Sequence, residues 1–193
     1  MRPEYDVVII GAGPIGGYLA RKLNEWGHSV LLIEEHNEIG RPFQCAGLIN
    51  PLAMNKVELG ETVQTSIWGA NIHSPNGTVV RVGVPHVDRT YSVCRKLFDE
   101  AVVRQSIASG SEIMLSTKPI SATIGEEYCI VEVDGPSGIS DIKCKLICGA
   151  DGAHSWVRRQ FRMGKPTETI IGFQIEVTGY QNREGTLDMY TGK

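Results

Sequence analysis

Three glycines and one acid carry the clearest chemistry in the sequence. Gly11, Gly13 and Gly16 form a Gly-x-Gly-x-x-Gly run, and Glu34 follows about 20 residues on. Gly11 permits a tight turn, Gly13 leaves room for a phosphate to approach the backbone, and Gly16 lets a helix pack close to a strand. An acid at Glu34 can accept hydrogen bonds from a ribose diol. Together these residues suit the adenosine diphosphate half of a dinucleotide. Three further positions invite chemistry. Cys45 is the only ionisable side chain between Phe43 and Ile49; the alternative is a small apolar filler in a packed connector. Arg95 stands between a strand-like and a helix-like run, where it can reach a phosphate or an adenine, or simply be solvated. Asp151 precedes a helical pattern, so capping and a functional role are compatible there.

The elements that must position these residues are legible around them. Val7 to Ile10 is an unbroken, β-branched apolar run, as expected of a parallel strand covered on both faces. From Ile15 the apolar residues Ile15, Leu19, Ala20, Leu23 and Trp26 predict one buried helical face, and Gly27 a stop. The free N–H groups at that helix's start would face a pyrophosphate, helped by the helix dipole. A second strand, Val30 to Ile33, delivers Glu34. Glycines alone often mark ordinary turns. Here strand, glycines, helix, strand and acid occur in order. The acid disfavours a 2′-phosphate, which argues against NADP at this site; NAD and FAD both remain open.

The rest of the chain alternates between strand and helix patterns. Residues 35–55 predict a long shaped loop containing Gly40, Pro42 and Gly47. Ser66 to His73 and Thr78 to Val84 flank Ser-Pro-Asn-Gly and predict a hairpin. Tyr91 to Cys94 reads as extended. Lys96 to Ser109 reads as a helix closed by Gly110. Ile120–Ile124, Tyr128–Val133 and Ile142–Ile147 predict a three-stranded meander, and Lys145–Cys148 a parallel strand returning to the first sheet. A helix over 153–161 with Asp151 as its N-cap should follow. Ile170–Val177 and Thr186–Tyr190 read as strands of a second domain, open at an unpaired edge.

Composition excludes several classes. The chain has 193 residues, with 41% hydrophobic and 21% charged side chains, an ordinary globular balance. A formal charge of -3 with no basic cluster gives no support for nucleic-acid binding. No apolar run approaches the roughly 18 residues of a membrane span. The early first strand predicts no signal peptide. Five cysteines without a Cys-x-x-Cys pair suggest reduced thiols and a cytoplasmic setting. Five scattered histidines predict no metal site. No Gly-x-Ser-x-Gly elbow is present.

Taken together, these pieces resemble the geranylgeranyl reductase family of FAD-dependent oxidoreductases, within the group that shares the p-hydroxybenzoate hydroxylase fold. The residues that carry the likeness are Gly11-x-Gly13-Pro14-x-Gly16-x-x-x-Ala20, Glu34, Gly40-Arg41-Pro-x-x-Cys45-Ala46-Gly47, Arg95-x-x-Phe98-Asp99 and Gly149-Ala-Asp151-Gly152-x-x-Ser155-x-Val157-Arg158. The likeness runs the length of the chain and covers the N-terminal half of such a protein. A second flavin motif and a Tyr-x-Trp-x-Phe-Pro substrate motif are expected beyond residue 193.

The resemblance implies an α/β fold: a Rossmann-like FAD-binding domain over 1–165, with a βαβ start and a three-stranded meander insertion. Residues 65–93 would lend strands to a β-rich substrate domain that begins over 166–193. It favours FAD over NAD. Gly11, Gly13 and Gly16 would hold the pyrophosphate, Glu34 the ribose, and Arg95 the adenosine–phosphate part. Asp151 and Gly152 would lie on the pyrophosphate side. Pro14, Glu35, Arg41, Ala46 and Gly47 complete the implied cofactor-binding set, and Cys45 would face flavin and substrate.

The implied reaction is reduction of isoprenoid carbon–carbon double bonds by hydride from reduced flavin, with NAD(P)H or ferredoxin as electron donor. Cys45 is the candidate proton donor. A lipid substrate implies peripheral membrane contact. The alternatives are an FAD-dependent aromatic monooxygenase and a catalytically incomplete nucleotide-binding module.

Overall fold

The computed structural model describes residues 2, 4–42, 45–180 and 185–192. In chain order the elements are β1 (Tyr5–Ile10), α1 (Pro14–Glu25), β2 (Val30–Ile33), β3 (Leu48–Ile49), α2 (Pro51–Val57), a 3-10 turn (Gly60–Thr62), β4 (Val63–Ile67) and β5 (Gly69–His73). They continue with β6 (Val79–Gly83), β7 (Thr90–Val93), α3 (Arg95–Ala108), β8 (Glu112–Met114), β9 (Lys118–Ile124), β10 (Cys129–Gly135), β11 (Gly138–Gly149), α4 (Trp156–Gln160) and β12 (Thr186–Tyr190). The chain forms two compact units, one of residues 1–42 with 98–169, the other of 43–97 with 170–193.

The first unit is built on a six-stranded mixed sheet in the order β8-β2-β1-β11-β10-β9. β1 pairs in parallel with both β2 and β11. Its apolar run is unbroken because both faces are buried. Val8 and Ile10 join Leu31, Ile33, Val131 and Val133 in one core. Val7 and Ile9 join Val30, Leu32, Ala20 of α1 and Val103 of α3 in the other. The same alternation puts successive β2 residues into opposite cores.

The buried face of α1 agrees with the sequence expectation at Ala20, Leu19 and Leu23, which pack in or against the core, and differs from it at Ile15 and Trp26. Ile15 and Trp26 are both 71% exposed. The buried positions are Gly16, Gly17 and Ala20. Small residues face inward because the helix lies so close to its neighbours. A Cβ on Gly17 would stand 3.0 Å from Val102 Cγ1 of α3.

The third meander strand and the strand returning to the sheet are one 12-residue strand, β11. Its first part runs antiparallel to β10 and its last part parallel to β1. Cys144 sits at the junction, opposite Cys129 and beside Tyr5. Its burial pushes the thiol up to about 12.

Asp6 ties β1 to β11 and to Ser29, the residue just before β2. Its carboxylate accepts from Lys145 Nζ at 2.7 Å and from the Ser29 N–H and hydroxyl at 2.8 Å each. Lys145 and then Ser29 hold the Asp6 carboxyl well below the usual range. A carboxyl with a lowered folded pKa stabilises fully above about pH 4 and loses that contribution as pH falls through the folded value. Asp6→Asn should therefore lower stability at neutral pH and flatten the acid limb. Urea melts at about pH 7 and pH 3 test this; an equal difference at both would contradict it.

In the second unit the expected strand over 66–73 is broken at Trp68. β4 joins the sheet β3-β7-β4, and β5 joins the sheet β12-β5-β6. Gly83 faces Gly69 just past the break, at φ +111, and a Cβ there would come 2.3 Å from Trp68 O. The loop expected over 35–55 contains β3 and the start of α2. Asn50 caps α2 by accepting from the Ala53 N–H, and Pro51 occupies its first turn, a start signal that the sequence carries.

Ile170–Val177 forms no strand. Ile170, Ile171 and Phe173 are 93%, 91% and 89% exposed. Alternating apolar residues give strand propensity, but a ladder needs a neighbouring strand, and none among the described residues pairs there. β12 does form, as an edge strand parallel to β5. No helix among the described residues is long and apolar enough to cross a membrane.

Candidate cofactor-binding site

The first unit gathers its candidate residues at the carboxyl ends of β1, β2 and β11, the edge where nucleotides bind in open α/β sheets. β1 ends at Ile10 beside Gly149 of β11 and Ile33 of β2. Gly11 follows at φ +101, a region that favours glycine. A Cβ on Gly11 would stand 2.5 Å from Ala150 O and 2.9 Å from Asp151 Cα. A Cβ on Gly16 would stand 2.0 Å from Gly11 O. These two glycines are required by the fold itself. Gly13 is different: a Cβ there meets nothing within 4 Å. The space beside Gly13 is open.

α1 begins at this opening. Gly13 is its N-cap, with no side-chain capping bond, and Pro14 fills the first helical position. No acidic residue lies in the first turn. The first N–H groups of a helix have no intrahelical acceptor, so this end presents donors and a positive dipole end to the open space. An anion such as a pyrophosphate fits that arrangement.

Glu34 is joined to the glycine loop directly. Its Oε2 accepts from the Ala12 N–H at 2.9 Å. Its Oε1 accepts from the His36 N–H at 3.1 Å and lies 2.6 Å from His36 Nδ1. A carboxylate has about four acceptor sites, so capacity remains for a ribose hydroxyl. Among the described residues no cluster of three acidic, histidine or cysteine side chains could hold a metal ion.

Asp151 is not the N-cap of α4. Ser155 caps that helix, its hydroxyl accepting from the Arg158 N–H at 2.9 Å. Asp151 Oδ2 instead accepts from the Val157 N–H at 3.0 Å, pinning the loop to α4. The helix starts later than the sequence expectation because the residues after Asp151 turn first, with exposed Gly152 at φ +71.

The other candidate residues divide between the two units. Glu35 and Arg41 belong to the first. Glu35 lies on the surface, 3.9 Å from both His36 and Lys118. Arg41 pairs with Glu38 at 3.4 Å. Cys45, Ala46, Gly47 and Arg95 belong to the second unit. Phe43 and Gln44 fall outside the described residues. Cys45 is exposed, so it fills no core, contrary to the packed-connector alternative. Gly47, at φ +78, seats this loop against the end of β7. Its carbonyl accepts from the Val93 N–H at 2.9 Å, and a Cβ there would stand 2.2 Å from Val93 O and 3.5 Å from Arg95 Cγ. The Cys45 loop and Arg95 are thus neighbours through Gly47. The role of Ala12, whose N–H holds Glu34, was missed by sequence reasoning; a backbone donor has no side-chain signal.

Comparison with known proteins agrees with this geometry. The FAD binding domain family is matched over residues 4–179. A digeranylgeranylglycerophospholipid reductase of Methanococcoides burtonii is 32% identical over 200 residues, which span 100% of this chain and 49% of the relative. The chain spans about half the length of the curated relatives it matches. A geranylgeranyl bacteriochlorophyll reductase-like protein from Thermoplasma acidophilum has the same fold, with a TM-score of 0.79 at 19% identity over 98% of this chain and 50% of that one. A p-nitrophenol 4-monooxygenase from Pseudomonas putida shares it at a TM-score of 0.70 and 20% identity, over 83% of this chain and 44% of that one. With most of its length inside the matched region and an open anion cradle at the expected strand ends, the chain belongs to the FAD binding domain family.

Proposed function

We propose that this chain is the cofactor-binding part of an FAD-dependent reductase that saturates carbon–carbon double bonds in isoprenoid lipids. The observation that carries the reading is the likeness to a digeranylgeranylglycerophospholipid reductase across the whole chain. The fold alone is shared with a monooxygenase and does not discriminate.

In this reading the N–H groups at the start of α1 bind the FAD pyrophosphate beside Gly13. Glu34 orients the adenosine ribose, while its bond to Ala12 keeps the loop in register with β2. Asp151 and Gly152 border the pyrophosphate from the β11 side. Arg95 contacts the adenosine–phosphate part, and Cys45 faces the substrate. FAD, when bound, supplies the hydride chemistry. A trisubstituted alkene has no carbonyl to polarise, so the protein must bring a proton donor to it in the correct geometry. Residues 166–193, with strands from 65–93, begin a substrate domain. NAD(P)H or ferredoxin replenishes the electrons. The lipid substrate brings the protein to a membrane surface from a cytoplasmic setting.

The test is direct. The purified protein incubated with FAD should acquire visible flavin absorption that survives gel filtration. Chemically reduced, it should convert digeranylgeranyl glycerophospholipid to a product heavier by two hydrogens per reduced bond. A hydroxylated product after exposure to air would favour the monooxygenase reading. Binding of NAD without FAD would overturn both.

A further inference from the structure

Glu34 is held from two sides, and the two sides divide its oxygens. Oε2 accepts from the Ala12 N–H at 2.9 Å. Oε1 accepts from the His36 N–H at 3.1 Å and from the ring Nδ1 of the same residue at 2.6 Å. All three residues lie in the first unit. His36 is anchored through its backbone: its carbonyl accepts from the Ser116 N–H at 2.9 Å, and the Glu34 carbonyl accepts from the Thr117 N–H at 2.9 Å. The connection between β8 and β9 therefore straps residues 34–36 in place without help from the imidazole. At 39% exposure the ring fills no core, while the Glu34 side chain is only 13% exposed. Among the described residues the ring's one hydrogen bond is to Glu34, and Glu35 stands 3.9 Å from Nε2.

These contacts decide which oxygen of Glu34 is open. A carboxylate only accepts, so a neutral His36 must carry its ring proton on Nδ1. A carboxylate offers about four acceptor positions, two on each oxygen. The two donors of His36 fill Oε1. Ala12 fills one position on Oε2. The vacant position is on Oε2, the oxygen that already touches the glycine loop. Without the ring, Oε1 would keep a single donor, and the carboxylate would be free to turn.

We propose that His36 is the positioning residue of the ribose site: its imidazole saturates Glu34 Oε1, so that a single ribose hydroxyl of the nucleotide binds, on Oε2, beside the Ala12 N–H. The proposal rests on the FAD reading above and deepens it. The sequence pattern implies an acid that accepts from a ribose diol; the hydrogen bonds around Glu34 narrow this to one hydroxyl on one oxygen. His36 acts through Glu34.

Binding titrations test the proposal, with FAD, ADP, 2′-deoxy-ADP and 3′-deoxy-ADP as probes. On the wild-type protein one deoxy nucleotide should bind about 10-fold more weakly than ADP, having lost a hydrogen bond to a charged group, and the other within about 2-fold of ADP. Equal losses for both, or a loss for neither, would overturn the proposal. His36→Ala should weaken FAD binding about 10-fold. His36→Asn, whose side-chain N–H stands where the Nδ1–H does, should recover most of that affinity. In a Glu34→Ala background, His36→Ala should add no further loss. Wild-type affinity in His36→Ala, no recovery in His36→Asn, or additive losses in the double variant would each count against it decisively. In proton–nitrogen spectra of the wild type at about pH 8 the His36 ring proton should sit on Nδ1; a proton on Nε2 overturns the proposal even where a variant fails to fold. A wild-type protein that binds ADP but not FAD would sink the flavin reading instead, and His36 would then be judged on the ADP series. A protein that binds neither sinks both.

Discussion

Gly13→Ala is expected to leave the protein folded while weakening FAD binding by roughly 10- to 100-fold. The added Cβ meets no protein atom within 4 Å, and the backbone there, at φ -73, accepts any residue. The cost to folding should stay below about 1 kcal/mol, the scale of an altered helix N-cap. The same Cβ occupies the open space beside the first N–H groups of α1. Losing hydrogen bonds to a charged phosphate costs about 1.5–3 kcal/mol, which is the stated range in affinity.

Gly16→Ala should do the reverse. Its Cβ would stand 2.0 Å from Gly11 O, a backbone atom held by the bond from the Gly11 N–H to Ile33 O. α1 would have to lift from β1, at a cost of about 1–3 kcal/mol or more. That is a large part of a typical total of about 5–15 kcal/mol. Chemical denaturation and FAD titration of both variants give the answer. If Gly13→Ala bound FAD like the wild type, the pyrophosphate would not lie at the start of α1.

The second large effect is expected for Glu34→Ala. The carboxylate is about 13% exposed at its side chain and bridges the Ala12 N–H to His36. Removing it takes away the proposed ribose acceptor and leaves the Ala12 N–H to find water. FAD affinity should fall by about 10- to 100-fold, with a stability loss of about 1–3 kcal/mol from the orphaned donor. Glu34→Asp, too short to bridge the same distance, should lie between the two. An Ala variant that is destabilised yet binds FAD normally would show that Glu34 serves only to hold the loop.

These two predictions draw on what was readable from residues in order. Val7–Ile10, the three glycines, α1, Val30–Ile33 and Glu34 lie within 30 residues of one another, and local patterning specifies all of them. Even there, local pattern misassigned two positions of the helix face, while Leu19, Ala20 and Leu23 meet the core as expected. Ile15 and Trp26 are more apolar than Gly16 and Gly17, but Gly11 O at one position and Val102 and Val103 of α3 at the other leave little room for a side chain. The cap of α4 was misassigned for a similar reason. Asp151 and Ser155 are both good caps by type, and only the turn between them selects Ser155.

The second unit shows where sequence by itself stops. Its strand patterns are clear, but pairing is a property of two segments, and no residue states its partner. Ile170–Val177 alternates as a strand should and finds no neighbour among the described residues, while Thr186–Tyr190, no more strand-like, finds β5. The hydrogen bond that joins His73 to Asp188 lay wholly outside the sequence reading, because the two residues are 115 positions apart. The sequence by itself determined the βαβ unit and the placement of Gly11, Gly13, Gly16 and Glu34 about its first turn, since turn, helix start and acid are set by local backbone geometry. Only the tertiary structure decided which strands meet, which glycines are open and which are filled, and which titratable groups share a face, because those depend on contacts between segments far apart in the chain.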